Sequence, residues 1–133
     1  MALAKVGVWS CDLSDDKLSW TSGVFDLFGL PIDTTLDRQQ TVKMYTEDSR
    51  EALETVRTQT IAQGGNFHLD TSIVRPDGEM RWMRISGELI RPAGGPPKLQ
   101  GLKQDVTEEK LRFDALRRLA KNDPLTGLVN RAA

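Results

Sequence analysis

The sequence predicts an α+β domain: a five-stranded antiparallel sheet with helices on one face and an amphipathic helix at the C-terminal end. Three observations predict it. The apolar period changes from helical to alternating at Gly64-Gly65. Two turn signals, Pro76-Asp77-Gly78 and the run PAGGPP from Pro92 to Pro97, divide the alternating region into three strands. A long amphipathic stretch, TEEKLRFDALRRLAKN, follows the last strand. With 133 residues, 38% of them hydrophobic, and 11 glycines, the chain holds enough apolar material for one ordinary domain.

Val6 to Leu13 is short and rich in strand formers, and after Ser14, Asp15, Asp16 and Lys17 the stretch Leu18 to Thr21 reads as its hairpin partner. In SGVFDLFG, Ser22 is placed to cap a short helix carrying Val24, Phe25, Leu27 and Phe28, which Gly29 ends. One further helical turn is expected around Asp37–Met44. The clearest helix starts at Thr46, whose hydroxyl is placed to cap it, with Glu47 and Asp48 at the positive end of the dipole. Its apolar stripe is Ala52, Leu53, Val56, Thr60 and Ile61, one face wide, so it should lie on the sheet.

Beyond Gly65, Phe67, Leu69, Thr71 and Ile73 alternate with polar residues, Met80 to Ile90 returns as a long strand, and Leu99 to Val106 returns again. On the long strand Met83, Ile85, Gly87 and Leu89 share one face, which the helices should cover; Trp82, Arg84, Ser86 and Glu88 share the other. The final helix, Thr107 to Asn122, has Glu108 and Glu109 at its start and Arg117, Arg118 and Lys121 at its end, the polarity a helix dipole favours. Leu111, Ala115, Leu116 and Leu119 line one side, with Phe113 and Ala120 widening the stripe, so a second copy of the helix is the natural cover.

Scarcity bounds the chemistry. A single cysteine, Cys11, excludes an intrachain disulfide and multi-cysteine zinc sites; a single histidine, His68, excludes two-histidine metal sites within one chain. No catalytic constellation and no metal site is expected. A net charge of -1 gives no field to hold nucleic acid or an anionic membrane. No apolar run approaches the ~18 residues needed to span a bilayer, and a cytoplasmic location is expected. Asp15 and Asp16 read as turn residues rather than an acid-base pair. Arg75, Arg81, Arg84 and Arg91 are split between faces by alternation and read as solvated surface.

The motifs VGVWSCDL, LSW, GVFDLFGL, RPDGEMRW and GLKQDVTEEK occur in the order and spacing of a PAS domain of the bacterial sensory type, which the chain resembles over residues 5–106. It departs from the pattern at Tyr45-Thr46-Glu47-Asp48, where the family often has His-Pro-x-Asp, and at Ser72, where an Arg is common. Residues 107–122 then form a signalling helix. DPLTGLVNR, Asp123 to Arg131, resembles the first residues of a GGDEF diguanylate cyclase domain, with Val129 where Pro is usual. Residues 123–133 would be the start of that output domain, whose catalytic signature is absent from the chain.

The resemblance implies a sensory and dimerisation module that regulates a covalently linked cyclase, in which two cyclase domains must meet to join two GTP molecules. A homodimer through the C-terminal helix and the sheet face is expected. The resemblance also implies a small-molecule site between sheet and helices, for which Trp9, Trp20, Phe25, Phe28, Phe67, Met83, Ile85 and Leu102 are the candidates; the same side chains equally suit a filled core. A ligand-free relay or protein-interaction module is the alternative. Haem and flavin are both disfavoured, and the ligand is unknown. His68 alternates against Phe67 and Leu69 as a surface residue rather than a haem ligand, and Cys11 lacks the Asn-Cys-Arg context of flavin photoreceptors. Asp105, Val106 and Thr107 are the expected transmission point, with Asp105 accepting from Arg81 or Arg84 and Thr107 capping the exit helix.

Overall fold

The polar run after the first strand turns the chain back through local bonds. Asp15 Oδ1 accepts from the Lys17 amide at 3.0 Å, and Asp16 takes the left-handed region at φ 58°. In the computed structural model, which describes residues 6–122, this turn joins β1 (Val6–Asp12) to β2 (Lys17–Trp20). There follow α1 (Ser22–Phe28), α2 (Arg38–Val42), α3 (Glu47–Gln63), β3 (Asn66–Val74), β4 (Met80–Ile90), β5 (Lys98–Asp105) and α4 (Thr107–Asn122). The GGDEF-like segment Asp123–Arg131 lies outside the described residues.

All strand pairs are antiparallel, in the order β2-β1-β5-β4-β3, so the last strand occupies the centre of the sheet. The inner face of the sheet carries Trp9, Cys11, Phe67, Ile73, Met83, Ile85 and Leu99, all buried with Val24, Leu27 and Phe28 of α1 and Leu53 of α3. This is the Met83 face, as alternation requires.

The helices are tied to the sheet by threonines at their starts. Thr21 Oγ1 accepts from the Val8 amide at 2.9 Å, Thr46 Oγ1 lies 2.6 Å from Ser72 Oγ, and Thr107 Oγ1 accepts from the Trp82 amide at 2.9 Å. These hydroxyls therefore do not cap the free amides of their own helices, contrary to the expectation for Thr46 and Thr107; α1 has Thr21 rather than Ser22 at its cap position. A strand amide, or for Thr46 the hydroxyl of Ser72, competes for the threonine oxygen, and that bond fixes the helix to the sheet. α2 keeps an orthodox cap, with Asp37 accepting from the Gln39 amide.

The free edge of β3 is covered by the α2–α3 connection. The Thr46 amide donates to the Ser72 carbonyl at 3.0 Å and the Val74 amide to the Met44 carbonyl at 2.8 Å, while Ser49 Oγ accepts from the Ser72 amide. Ser72, where the family pattern has an arginine, is thus buried in a hydroxyl cluster with Thr46 and Ser49.

Gly87 leaves room for Trp9 to cross the sheet, and Gly101 lets β5 lie close against the β4 backbone at Ser86. The Trp9 indole Nε1 donates to the Ser86 carbonyl of β4 at 2.9 Å, although β5 lies between β1 and β4. A Cβ at Gly101 would come within 1.9 Å of the Ser86 oxygen, and one at Gly87 within 2.8 Å of the Trp9 and Phe67 rings. Gly101→Ala should therefore force a backbone shift and lower stability by about 1–3 kcal/mol or more. Urea unfolding checks this; an unchanged midpoint would show that the approach of β5 to β4 is not tight.

Candidate functional site

Alternation along β5 places Leu99, Gly101, Lys103 and Asp105 inward, and one of the four is a lysine at the centre of the sheet. Lys103 is 5% exposed. Its Nζ donates to Tyr45 Oη at 3.1 Å and faces four rings, Phe28 at 4.9 Å, Trp20 at 5.2 Å, Trp9 at 5.5 Å and Tyr45 at 5.7 Å from their centroids. Among the described residues no carboxylate pairs with it.

Removal from water lowers the Lys103 pKa from its ordinary value to about 7, opposed by neighbouring Cys11 and reinforced more weakly by Arg38. The ring faces also oppose the shift, because their quadrupoles favour the cation. Burial also raises the pKa of the Tyr45 phenol, which therefore stays neutral and able to accept.

Lys103 lines a cavity of about 50 Å³ together with Trp9, Cys11, Leu18, Arg38, Thr41, Val42, Tyr45, Leu53, Arg57, Phe67, Ile85 and Leu99. That volume holds a group of a few heavy atoms. Two arginines on its rim are already paired, Arg38 with Glu54 and Arg57 with Asp16, the latter at 3.0 Å. Burial raises the pKa of Cys11, so its thiol meets the cavity in the neutral form.

Of the eight residues suggested by the sequence, Trp9, Phe67 and Ile85 lie on the cavity wall. Trp20 and Phe28 stack at 4.6 Å and lie against Lys103, while Phe25 meets Trp20 edge-on at 5.2 Å. Met83 is fully buried in the core beside them. Leu102 does not belong to this group. It is 49% exposed on the outer face of the sheet, opposite Val8, because its neighbour Lys103 takes the inward position. His68 is exposed on β3. Among the described residues no cluster of three or more His, Cys, Asp or Glu side chains is placed to hold a metal.

Two residues beyond Lys103, the sheet hands over to α4. Asp105 accepts from Arg81 Nη1 at 3.2 Å through one oxygen and from the Thr107 amide at 2.9 Å through the other. The carboxylate, not the Thr107 hydroxyl, thus satisfies the first amide of the helix. Val106 is buried, and its amide donates to the Trp82 carbonyl at 2.9 Å. Arg84 pairs not with Asp105 but across the outer face with Asp70 at 2.8 Å, and that bond holds the Asp70 carboxyl below its usual range. Lys110 also reaches Asp70, at 2.9 Å, and Arg84 reaches Glu109 at 3.6 Å. The first turn of α4 is therefore gripped by β4 from both faces, whereas Leu111, Phe113, Leu116 and Leu119 farther along are 54–69% exposed.

The sheet order, the cavity beneath helices on one face and the clamped exit helix coincide with a family match: residues 17–102 match the family described as PAS fold. The chain belongs to the PAS family. Its relatives include the probable diguanylate cyclase DgcE of Escherichia coli, 23% identical over 111 residues, a match covering 84% of this chain and 10% of that protein. The chain thus spans about a tenth of the length of that curated relative. Among solved structures, it is similar to the N-terminal domain of a diguanylate cyclase with PAS/PAC sensor from Marinobacter aquaeolei, with a TM-score of 0.71, 17% identity and coverage of 80% and 99% of the two chains. A sensory box histidine kinase/response regulator from Burkholderia thailandensis matches with a TM-score of 0.71, 20% identity and coverage of 89% of each chain. Among the described residues of this PAS domain, no helix is long and apolar enough to cross a membrane.

The lysine makes the stability of the domain depend on pH in a defined sense. Its folded pKa is about 7, and an unfolded lysine titrates near about 10.4. Between these values the unfolded chain binds the extra proton, so stability should rise with pH from about 7 to about 10, by at most about 1.4 kcal/mol per unit. Unfolding midpoints of wild type and Lys103→Met across this range check it. The variant should be the more stable at neutral pH and lack the rise; parallel profiles would contradict the buried amine.

Proposed function

We propose that this PAS domain is the sensory and dimerisation module of a signalling protein whose output domain, a diguanylate cyclase, continues from α4. The chain itself carries no catalysis and acts in the cytoplasm. A small ligand in the cavity biases the sheet, and the sheet biases the exit helix. The observation that carries this reading is the spacing along β5: Lys103 lines the cavity, and Asp105, two residues on, holds both Arg81 and the first amide of α4. A strand bonded on both sides moves as a unit, so a change at Lys103 reaches the clamp without a separate relay.

Exposed apolar surface on α4 and the outer sheet face supports dimerisation, the second part of this reading. Val6, Val8 and Leu102 expose about half their surface on that face, and α4 presents Leu111, Leu116 and Leu119 to solvent. Pairing two helices in parallel would set the distance and angle of two cyclase domains. The relay alternative, a core without a ligand, finds support in the small size of the cavity.

Light scattering after size-exclusion chromatography should give a dimer, and Leu116→Glu with Leu119→Glu should give a folded monomer. A monomeric wild type would overturn the dimer module. The clamp has its own test. Thr107→Val removes the bond to the Trp82 amide and should cost about 1 kcal/mol. Hydrogen exchange should quicken in the first turn of α4 and at Trp82, leaving α3 unchanged; uniform quickening would show a merely structural role.

A further inference from the structure

We propose that the cavity binds a small carboxylate anion, held as the counter-ion of the Lys103 ammonium. This rests on the reading above that the cavity is a ligand site, and names the ligand class. Three side chains of basic residues line one cavity of about 50 Å³: Lys103, Arg38 and Arg57. The two arginines have carboxylate partners, Glu54 and Asp16; Lys103 has none among the described residues, although it is the most deeply placed of the three. Among the described residues its hydrogen-bond partner is the Tyr45 hydroxyl, a neutral acceptor, and Nζ also lies over the Trp9, Trp20 and Phe28 rings.

The groups facing the amine from each element set the sign of the local charge. β1 offers the Cys11 thiol, kept neutral by burial, and the segment before α3 offers the Tyr45 phenol, also kept neutral. α2 offers Arg38 and α3 offers Arg57, with Glu54 and Asp16 engaged behind them. β2 and α1 contribute Trp20 and Phe28, and β3 and β4 contribute Phe67 and Ile85. No free carboxylate among the described residues opposes an incoming anion. A carboxylate of two or three carbons matches the volume, accepts from the ammonium, and gives the buried charge the partner it lacks.

Binding then carries a proton. Without the anion the amine is near half-protonated at neutral pH, and the anion selects the protonated form, so each binding event at pH 8 takes up close to one proton. Affinity falls about tenfold per pH unit above about 7.

Acetate, with acetamide as its neutral isostere, tests this on the whole chain by calorimetry at pH 6 and pH 8.5. Acetate should bind at pH 6, weaken more than tenfold by pH 8.5, and show proton uptake when buffers of different ionisation enthalpy are compared; acetamide should bind at least tenfold more weakly. Lys103→Met, which replaces the amine by an apolar group of similar length, should abolish acetate binding while remaining folded. Equal binding of acetamide, acetate binding that survives in Lys103→Met, or no acetate binding at pH 6 would each overturn the anion site. A protein that is dimeric by light scattering yet ignores acetate would overturn the anion site alone and leave the sensory module standing.

Discussion

A primary amine donating to a tyrosine hydroxyl inside a ring of aromatic faces is the interaction around which the rest of this domain is arranged. Lys103 sits on the central strand, at 5% exposure, with Tyr45 as its hydrogen-bond partner. Burying a cation this deeply is unfavourable unless something compensates. Here the compensation comes from one hydrogen bond, four ring quadrupoles and a pKa lowered to about 7, which lets the group discharge. An apolar residue at this position would pack with less cost. The lysine is therefore an expense in stability, of the sort found where a site serves recognition.

The glycines and the exit helix follow from the same strand. Trp9 reaches its place beside Lys103 because Gly87 leaves room for the indole, which meets the Ser86 carbonyl, while Gly101 lets β5 approach the β4 backbone at that point. Asp105 faces inward because it is two residues from Lys103, and that parity aims its carboxylate at Arg81 and the start of α4. Pocket and exit are thus joined by the period of a β-strand. The threonines at helix starts extend the principle, since each gives its hydroxyl to the sheet and ties a helix to strand movement.

Much of this was legible in the sequence. Alternation and turn residues sufficed for five strands, because PDG and PAGGPP leave few other foldings, and the inward face of β4 followed from Met83 and Ile85. Leu102 was misplaced for a physical reason. Leu99 and Leu102 are three apart, so a regular strand cannot turn both inward; hydrophobicity favours Leu102, and parity with the buried Leu99 favours Lys103. The parity signal was available and decides the matter. The threonine caps were unreadable for another reason, since a hydroxyl at a helix start has two equivalent uses and only the neighbouring strand selects one. Arg38 and Arg57, on the cavity rim, carried no signal because their approach depends on how α2 and α3 lie across the sheet.

The central claim, that an unpaired amine titrates near neutrality inside this PAS core, is open to direct observation. Lysine labelled with ¹³C at Cε, followed by NMR from pH 5 to 11, reports each ammonium separately, and Lys103→Met assigns the core signal. Lys103 should titrate near pH 7, far below the value of about 10.4 ordinary for a lysine in water. A Lys103 signal that titrates near about 10.4, the ordinary lysine value, would contradict the account.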